Sequence, residues 1–452
     1  MNFHTRLIVL STGVTLASCQ MTKKEASVHP NFVIILADDL GYGDLSCYGH
    51  PTIKTPCLDQ MAREGIRLTS FYVSSSVCTP SRASLLTGRY PLRVGLPDVL
   101  LPESESGIPE EEITIGEALK HVGYETMYIG KWHLGDQEKY HPLNHGFDDY
   151  YGILYSNDMM PPWVETDKPL SLMHGTREIE HPVIQQTLTE RYTEWGKAFI
   201  EDKKDAPFLL YLSYAMPHVP IFASDRFLDT SRAGLYGDVI ETIDWSVGEI
   251  LKKIKELGLD DHTLVVFLSD NGPWQNMPDR MFSNDTIKPW HCGSAGHLRG
   301  SKGNTCEGGV RVPAIFRWPG VIPGGQVSAD LVTAMDLFPT ILNAAGTDVP
   351  AERKIDGHDV MAFLQGKEVS PTDEYIYYMR SDLEGIRKGK WKYRNVPSAS
   401  VAGRAVELFD LETDPGEKFN LAGCFPEKAE ELKDRMEEQD EKLRREVTLH
   451  SD

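Results

Sequence analysis

The feature that most narrows the fold is a set of apolar runs with no charge inside them and a polar pair directly after. Asn31-Phe-Val-Ile-Ile-Leu-Ala37 is followed by Asp38-Asp39, and Thr263-Leu-Val-Val-Phe-Leu-Ser269 by Asp270-Asn271. Continuous runs of branched apolar residues suit strands covered on both faces, as in a parallel sheet. A third run spans 207–214, and shorter strands are predicted at 66–73 and 125–129. Helical patterns lie between them: 55–65 and 115–123, each closed by glycine, and 235–257 with an apolar stripe through Val239, Ile243, Val247, Ile250 and Ile254. This alternation predicts an α/β fold with helices on both sheet faces. Ligands in such sheets sit at the carboxyl ends of strands. Both polar pairs fall there, so they are expected to converge.

The last part of the chain reads differently. Residues 332–346 are predicted as a helix, 385–394 and 405–410 as strands, and 427–446 as a charged helix. Together they suggest a small antiparallel sheet with a helix, packed on the main domain. The predicted division is a catalytic domain over 31–370 and a C-terminal subdomain over 371–452; the 452 residues suffice for a large core with one such appendage. Two long connections, 157–182 and 273–300, lack periodicity, and loops of that length in compact enzymes are usually functional. The formal charge of −21 excludes a non-specific nucleic-acid binder, which needs a basic footprint. It leaves room for an anionic ligand, because a local cluster of Lys, Arg and metal can reverse the field.

Near the start, Arg6 precedes an apolar stretch from Leu7 to Leu16 that is too short to cross a bilayer. It ends in Leu16-Ala17-Ser18-Cys19, which resembles a bacterial lipobox. On that reading 1–18 is a lipoprotein signal peptide, Cys19 becomes lipidated, and 19–30 is a polar tether. A plain cleavable signal with an incidental cysteine is the alternative. Of the seven cysteines, setting aside Cys19 and Cys78 leaves an odd number, so at least one is unpaired or intermolecular. No paired C-x-x-C zinc pattern occurs.

The stretch Cys78-Thr-Pro-Ser-Arg82-Ala-Ser-Leu-Leu-Thr-Gly88-Arg89 places a cysteine on a turn before a helix. A helix N-terminus and a nearby arginine both favour the thiolate, so Cys78 is expected to be reactive. For the cysteine alone, a structural role is the other reading. The whole stretch resembles the signature of type I sulfatases, of the arylsulfatase A-like kind, in the alkaline phosphatase superfamily. That resemblance implies a large mixed, mostly parallel sheet sandwiched by helices, plus a small C-terminal antiparallel sheet with a helix. It also implies a maturation enzyme, formylglycine-generating or anaerobic sulfatase-maturating, that reads Cys-x-Pro-x-Arg and oxidises Cys78 to formylglycine (3-oxoalanine). The hydrated aldehyde is a geminal diol. One hydroxyl attacks sulfur, and the other later supplies the electrons that expel sulfate. An ordinary Ser or Cys would be left as a stable sulfated ester.

Other motifs fit the same family. Asp38-Asp39, followed by Gly41-Tyr42-Gly43-Asp44, and Asp270-Asn271-Gly272 resemble its two metal-binding strand ends. Each pair by itself also reads as a turn or helix cap. Hard oxygen donors suit calcium or magnesium rather than zinc. The resemblance implies one Ca2+ per active site, with Mg2+ the other choice, held by Asp38, Asp39, Asp270, Asn271 and the formylglycine made from Cys78. Gly130-Lys131-Trp132-His133-Leu134-Gly135 puts a cation and an imidazole two residues apart, facing one side if the segment is extended. The resemblance assigns Lys131 to the sulfate or formylglycine oxygens, and His133 to the diol as the base that drives release. In Met216-Pro217-His218-Val219-Pro220 it assigns His218 to the leaving group; an imidazole titrates near neutrality and can protonate a departing sugar oxygen. Lys302-Gly-Asn-Thr-Cys-Glu307-Gly-Gly resembles the family's K-G-x-x-x-E-G-G motif, whose lysine contacts sulfate and the bridging oxygen. Arg82, Lys131, Lys302 and the metal would then form a cationic nest for a tetrahedral anion, and such preorganised charge is usually the largest catalytic contribution. Glu407 to Leu421 resembles the C-terminal subdomain of arylsulfatase A-like members. One departure is Cys57 in Thr55-Pro56-Cys57-Leu58-Asp59, where the family pattern has asparagine.

The implied activity is hydrolysis of sulfate esters of a sulfated polysaccharide or its oligosaccharides, releasing inorganic sulfate. The implied setting is export and lipid anchoring in the bacterial cell envelope, at the outer membrane or in the periplasm, with no nucleic-acid partner. A formylglycine-dependent phosphonate or phosphodiester hydrolase is one alternative. A non-catalytic surface glycan-binding lipoprotein is the other; it would lack a ligand or nucleophile, and none is lacking. Specificity is expected in the loops 98–112, 157–182 and 274–297, with Trp163, Trp290, His291 and His297 as candidates for sugar contact, a core role being open for each.

Overall fold

The computed structural model describes Met1, residues 29–397 and residues 403–448. Apart from Met1, the stretch read as a signal peptide lies outside the described residues, as do Cys19 and most of the expected tether. The main sheet has 11 strands: β1 (Asn31–Ala37), β2 (Ile66–Tyr72), β3 (Glu125–Lys131), β4 (Asp149–Ile153), β5 (Leu172–His174), β6 (Arg177–Glu180), β7 (Phe208–Ser213), β8 (Thr263–Ser269), β9 (Arg311–Arg317), β10 (Gln326–Ser328) and β11 (Val332–Thr333). Their order is β10-β2-β9-β8-β1-β7-β3-β4-β5-β6, with β11 also paired to β2. The central five, from β8 to β4, are all parallel, and β9 runs antiparallel between β8 and β2.

The lack of alternation in β1 has a direct cause. Phe32, Ile34 and Leu36 enter the apolar layer on one face, with residues of the helices Cys78–Thr87, Ile115–His121 and Leu337–Ala344. Val33, Ile35 and Ala37 enter the layer on the other face, with residues of Pro56–Glu64, Leu188–Lys203 and Gly234–Glu256. Both faces are dry, so neither parity can be polar. The polar pairs after β1 and β8 therefore emerge side by side at the carboxyl edge, because these two strands are neighbours in register.

A second sheet follows, antiparallel and ordered β12 (Glu374–Met379), β13 (Asp382–Lys388), β14 (Trp391–Pro397) and β15 (Arg404–Asp410). The helix Pro426–Thr448 places Ala429, Leu432 and Met436 against Ile386, Tyr393 and Leu408 of this sheet.

Several local expectations need correction. The helix predicted over 332–346 starts as strand β11, turns through Ala334–Asp336 and is α-helical only over Leu337–Ala344, because Val332 and Thr333 find an edge on β2. The single strand predicted over 385–394 is a hairpin, β13 and β14, turned at Gly389 with φ 56°. Connection 157–182 contains the β5–β6 hairpin, and the 16-residue helix Leu188–Lys203 was not foreseen.

The two sheets meet at a buried ion cluster. Glu307, just before β9, accepts from Lys392 at 2.9 Å and Tyr377 at 3.0 Å, from Tyr72, and from Arg311 at 3.3 Å. Burial alone would raise its pKa, but Lys392, then Arg311 and Arg387, outweigh it and hold Glu307 down to about 2. A depressed carboxylate stabilises the fold above its unfolded pKa and loses that contribution as the pH falls through the folded value. Glu307→Gln is therefore expected to lose roughly 3–5 kcal/mol at neutral pH, by stranding buried cations. Its urea midpoint should also decline less steeply than the parent's between pH 4.5 and 2, Asp38 still contributing. A parent-like acid profile in the variant would refute this.

Candidate active site

The turn after β1 breaks the alternation of a strand. Asp39 takes φ 61°, a left-handed conformation that Asp tolerates better than most residues, so the consecutive carboxylates of Asp38 and Asp39 both reach the same place. Asp39 N–H donates to Asp270 Oδ1 at 3.1 Å, and Asn271 Nδ2 donates to Asp39 Oδ1 at 2.6 Å. The two strand-end pairs thus meet as expected. Asp44 serves a different purpose: it accepts from Gly41 N at 2.6 Å, Tyr236 OH at 2.6 Å and Ser294 N at 2.7 Å, tying connection 273–300 to this turn. Burial pushes Asp44 up to about 7.

Cys78 opens a helix in which every residue to Thr87 is buried, and Arg82 lies one turn on, at i+4, on the same face. Arg82 donates through Nε to Asp270 Oδ2 at 2.9 Å and through Nη1 to Ser213 at 2.7 Å; its Nη2 lies 2.8 Å from Asp270 and 3.4 Å from Asp38. Lys131, the last residue of β3, donates to Asp38 Oδ2 at 2.5 Å and Ser156 Oγ at 3.1 Å. Lys302 donates to both oxygens of Asp39, at 2.8 and 2.9 Å, and its ammonium sits 4.6 Å from the centroid of the Trp274 ring. His218 Nε2 lies 3.6 Å from Asp39 Oδ2.

The electrostatics follow from burial. Asp38 is held far below the usual carboxylate range: burial would raise it, but Lys131 and Arg82 prevail. Burial drives Asp39 up to about 7 against Lys302, with help from Asp38 and Asp270, and Asp270 is raised as well. The expected thiolate at Cys78 is not favoured. Burial raises this thiol, with Asp38 and Asp270 adding to it, against Lys131 and Lys302. A helix N-terminus cannot offset the removal of water and two nearby carboxylates.

His133 also departs from the extended geometry assumed for Lys131 and His133. β3 ends at Lys131, and His133 has φ 60°. Its Nε2–H donates to Leu100 O at 2.9 Å, leaving the buried Nδ1 without a hydrogen-bond partner. Burial, then Lys131, push its pKa far below 6.5, so the ring is neutral with its lone pair on Nδ1. In His218 the roles are reversed: Nδ1–H donates to Val219 O at 2.6 Å, which leaves Nε2 toward the carboxylates. Burial, then Lys302, lower His218 too.

The catalytic and metal-site residues proposed from the sequence meet in this one region; Cys19 lies outside the described residues. Ser156, Ser213, Asp158 and Trp274 had not been singled out. Ser156 links Lys131 to His218 Nδ1, 3.5 Å away, and Asp158 is buried with an unpartnered Oδ1. Ser156 and Asp158 follow β4, so the strand-end rule that marked Asp38 would have marked them had β4 been recognised. Of the sugar-contact candidates, Trp290 is broadly exposed, Trp163 and His291 are buried, and His297 packs edge-on against Tyr42.

Comparison with known proteins agrees with this geometry. A family model described as Sulfatase matches residues 30–347, and one for the C-terminal part of N-sulphoglucosamine sulphohydrolase matches 302–446. The chain therefore belongs to the sulfatase family, as a type I sulfatase of the alkaline phosphatase superfamily. It is 38% identical to human (Homo sapiens) arylsulfatase A over 450 residues, covering 89% of this chain and 86% of that one. It is 37% identical to N-acetylgalactosamine-6-sulfatase of Canis lupus familiaris over 441 residues, covering 87% and 82%. Among solved structures, PsFucS1 sulfatase from Pseudoalteromonas sp. superposes with a TM-score of 0.81 at 29% identity, covering 92% of this chain and 91% of that one. Ps i-CgsB in complex with k-i-k-neocarrahexaose gives 0.78 at 29%, covering 91% and 93%. The protein is a sulfuric ester hydrolase.

Arg82 is the shared counter-ion of Asp38 and Asp270, so Arg82→Met should cost roughly 3–5 kcal/mol in chelator, read by urea unfolding. A loss under about 1 kcal/mol would contradict that role.

Proposed function

We propose that the protein is an exported, lipid-anchored sulfatase that removes sulfate from a sulfated polysaccharide or its oligosaccharides, using formylglycine at position 78 and a bound calcium ion. The observation that carries this reading is the convergence of Cys78, Arg82, Lys131 and Lys302 on the carboxylates at the ends of β1 and β8. The relatives add to it: one structure holds a neocarrahexaose, and another is described within glycosaminoglycan metabolism.

The residues fit the implied cation. Asp38 Oδ1 and Asn271 Oδ1 are buried oxygens with no protein donor, and Asp39 and Asp270 complete a hard donor set. His218 clusters with Asp38 and Asp39, their ligand atoms within 4.8 Å of one another, but an imidazole is a softer donor than these carboxylates and is suited to proton transfer. When bound, a divalent ion makes the site net positive and polarises sulfuryl oxygens. Oxidised to formylglycine and hydrated, residue 78 would offer two hydroxyls, one to attack sulfur and one to release sulfate.

The chain's own residues do the rest. Lys131, fully buried, brings its ammonium to the sulfuryl oxygens, and Lys302, its side chain 8% exposed, brings its own to the sulfate and the bridging ester oxygen, where low water content strengthens each contact. His133 accepts a proton at Nδ1, its only free ring nitrogen. His218 passes a proton to the departing sugar oxygen through Nε2, Nδ1 being committed to Val219. A bound anion beside it favours the protonated ring. Trp274, its ring tilted at 47° to that of His218 with the centroids 5.4 Å apart, walls the leaving-group side.

Mass spectrometry of active enzyme should find the aldehyde at position 78, and Cys78→Ala should lose roughly 10⁴–10⁶-fold in turnover. An unmodified thiol in fully active enzyme would overturn the scheme. Chelated enzyme should gain about 2.7 kcal/mol in unfolding free energy at Ca2+ a hundred times its dissociation constant. No gain with Ca2+ or Mg2+ would exclude the cation site. Release of sulfate from defined sulfated oligosaccharides, compared with aryl phosphonate turnover, tests the substrate class. A strong preference for the phosphonate would refute it.

A further inference from the structure

Lys302 has to hold one position, yet it sits on an irregular segment between β8 and β9. The side chains that fasten this segment come from the second sheet. Lys392 on β14 is fully buried and donates to Thr305 O and Glu307 Oε1, each at 2.9 Å, while its ammonium also lies 2.9 Å from Glu417 Oε1. Glu417 Oε2 accepts the Glu307 backbone N–H at 2.8 Å. Thr305 Oγ1 accepts from Arg394 at 2.9 Å and donates to Glu384 at 2.5 Å. Arg299, ahead of Lys302, pairs with Glu407 at 2.8 Å. On the other side, Lys302 N–H donates to Pro273 O at 2.9 Å and Gly303 N–H to Ser76 O at 3.0 Å, two residues before Cys78. The segment is thus clamped between the residues leading to the nucleophile and a polar set, most of it buried, on β13, β14, β15 and the connection after β15.

We propose that the C-terminal sheet positions Lys302 against the ester oxygen, with Lys392 as the central positioning residue. This rests on the role given to Lys302 above. Lys392 touches no reacting atom; it acts through the Thr305 carbonyl, three residues from Lys302. Loosening that carbonyl frees the ammonium to move, and a displacement of about 1 Å can cost on the order of a hundredfold in rate. The burial supports a specific arrangement rather than general adhesion, because a dry lysine must find its partners or destabilise the fold.

A group that offsets charge on the bridging oxygen matters most when the leaving group is basic. The test is therefore a series of aryl sulfates with phenols of rising pKa, turned over by the matured full-length enzyme. Lys392→Met and Thr305→Val are each made alone and combined with Lys302→Ala. Each single variant should lower kcat about ten- to a hundredfold on the most basic phenols, change it far less on the most acidic, and move KM little. Combined with Lys302→Ala, either should add no further loss. Loss uniform across the series, or losses that multiply with Lys302→Ala, would show a merely structural clamp and overturn the proposal. Should Lys392→Met not fold, Thr305→Val, which keeps the Lys392 ion pairs, decides by the same criteria. A Lys302→Ala enzyme as fast as its parent would instead refute the role of Lys302 itself.

Discussion

Burying the carboxylates of Asp38, Asp39 and Asp270 together sets the demand that the remainder of the molecule has to meet. Separately, each would be driven toward its neutral form by loss of water, and together they repel. Three cations answer them, and each arrives on a different element: Arg82 on the helix after β2, Lys131 at the end of β3, and Lys302 on the segment before β9. The balance is uneven. Asp38 has two close cations and stays ionised, whereas burial drives Asp39 up to about 7 despite Lys302. That unevenness marks where further positive charge would be most favourable.

The same demand accounts for the architecture. A parallel sheet buried on both faces brings β1 and β8 side by side, so two polar pairs distant in sequence share one edge. The antiparallel β9 starts at that edge and leads away from it, so the Lys302 segment just before it lies beside the two pairs. The second sheet then meets this segment through Lys392 and Arg394, and the connection after β15 through Glu417. The C-terminal sheet is therefore joined to the segment that carries Lys302 by buried polar contacts.

Much of this was legible in the residues. The strand-end rule located Asp38, Asp39, Asp270 and Asn271, because a strand covered on both faces can release its polar residues only at the sheet edge. The cysteine stretch and the motifs around Lys131, His218 and Lys302 supplied the remaining members. Ser156 and Asp158 escaped because β4 is short and rich in tyrosine and gives no clean apolar run. The β13–β14 hairpin was read as one strand because only Gly389 marks its turn.

The order of residues along the chain was enough to name the residues that converge and their succession: the cysteine that heads the signature stretch, the polar pairs at the strand ends, and the cations that accompany them. Those are properties of covalent identity and of local turns. The protonation of Cys78, the opposite tautomers of His133 and His218, the pairing of each cation with its carboxylate, and the fastening of Lys302 by Lys392 came only with the folded arrangement. Each depends on dehydration and on partners far away in the chain, and no local run of residues encodes either.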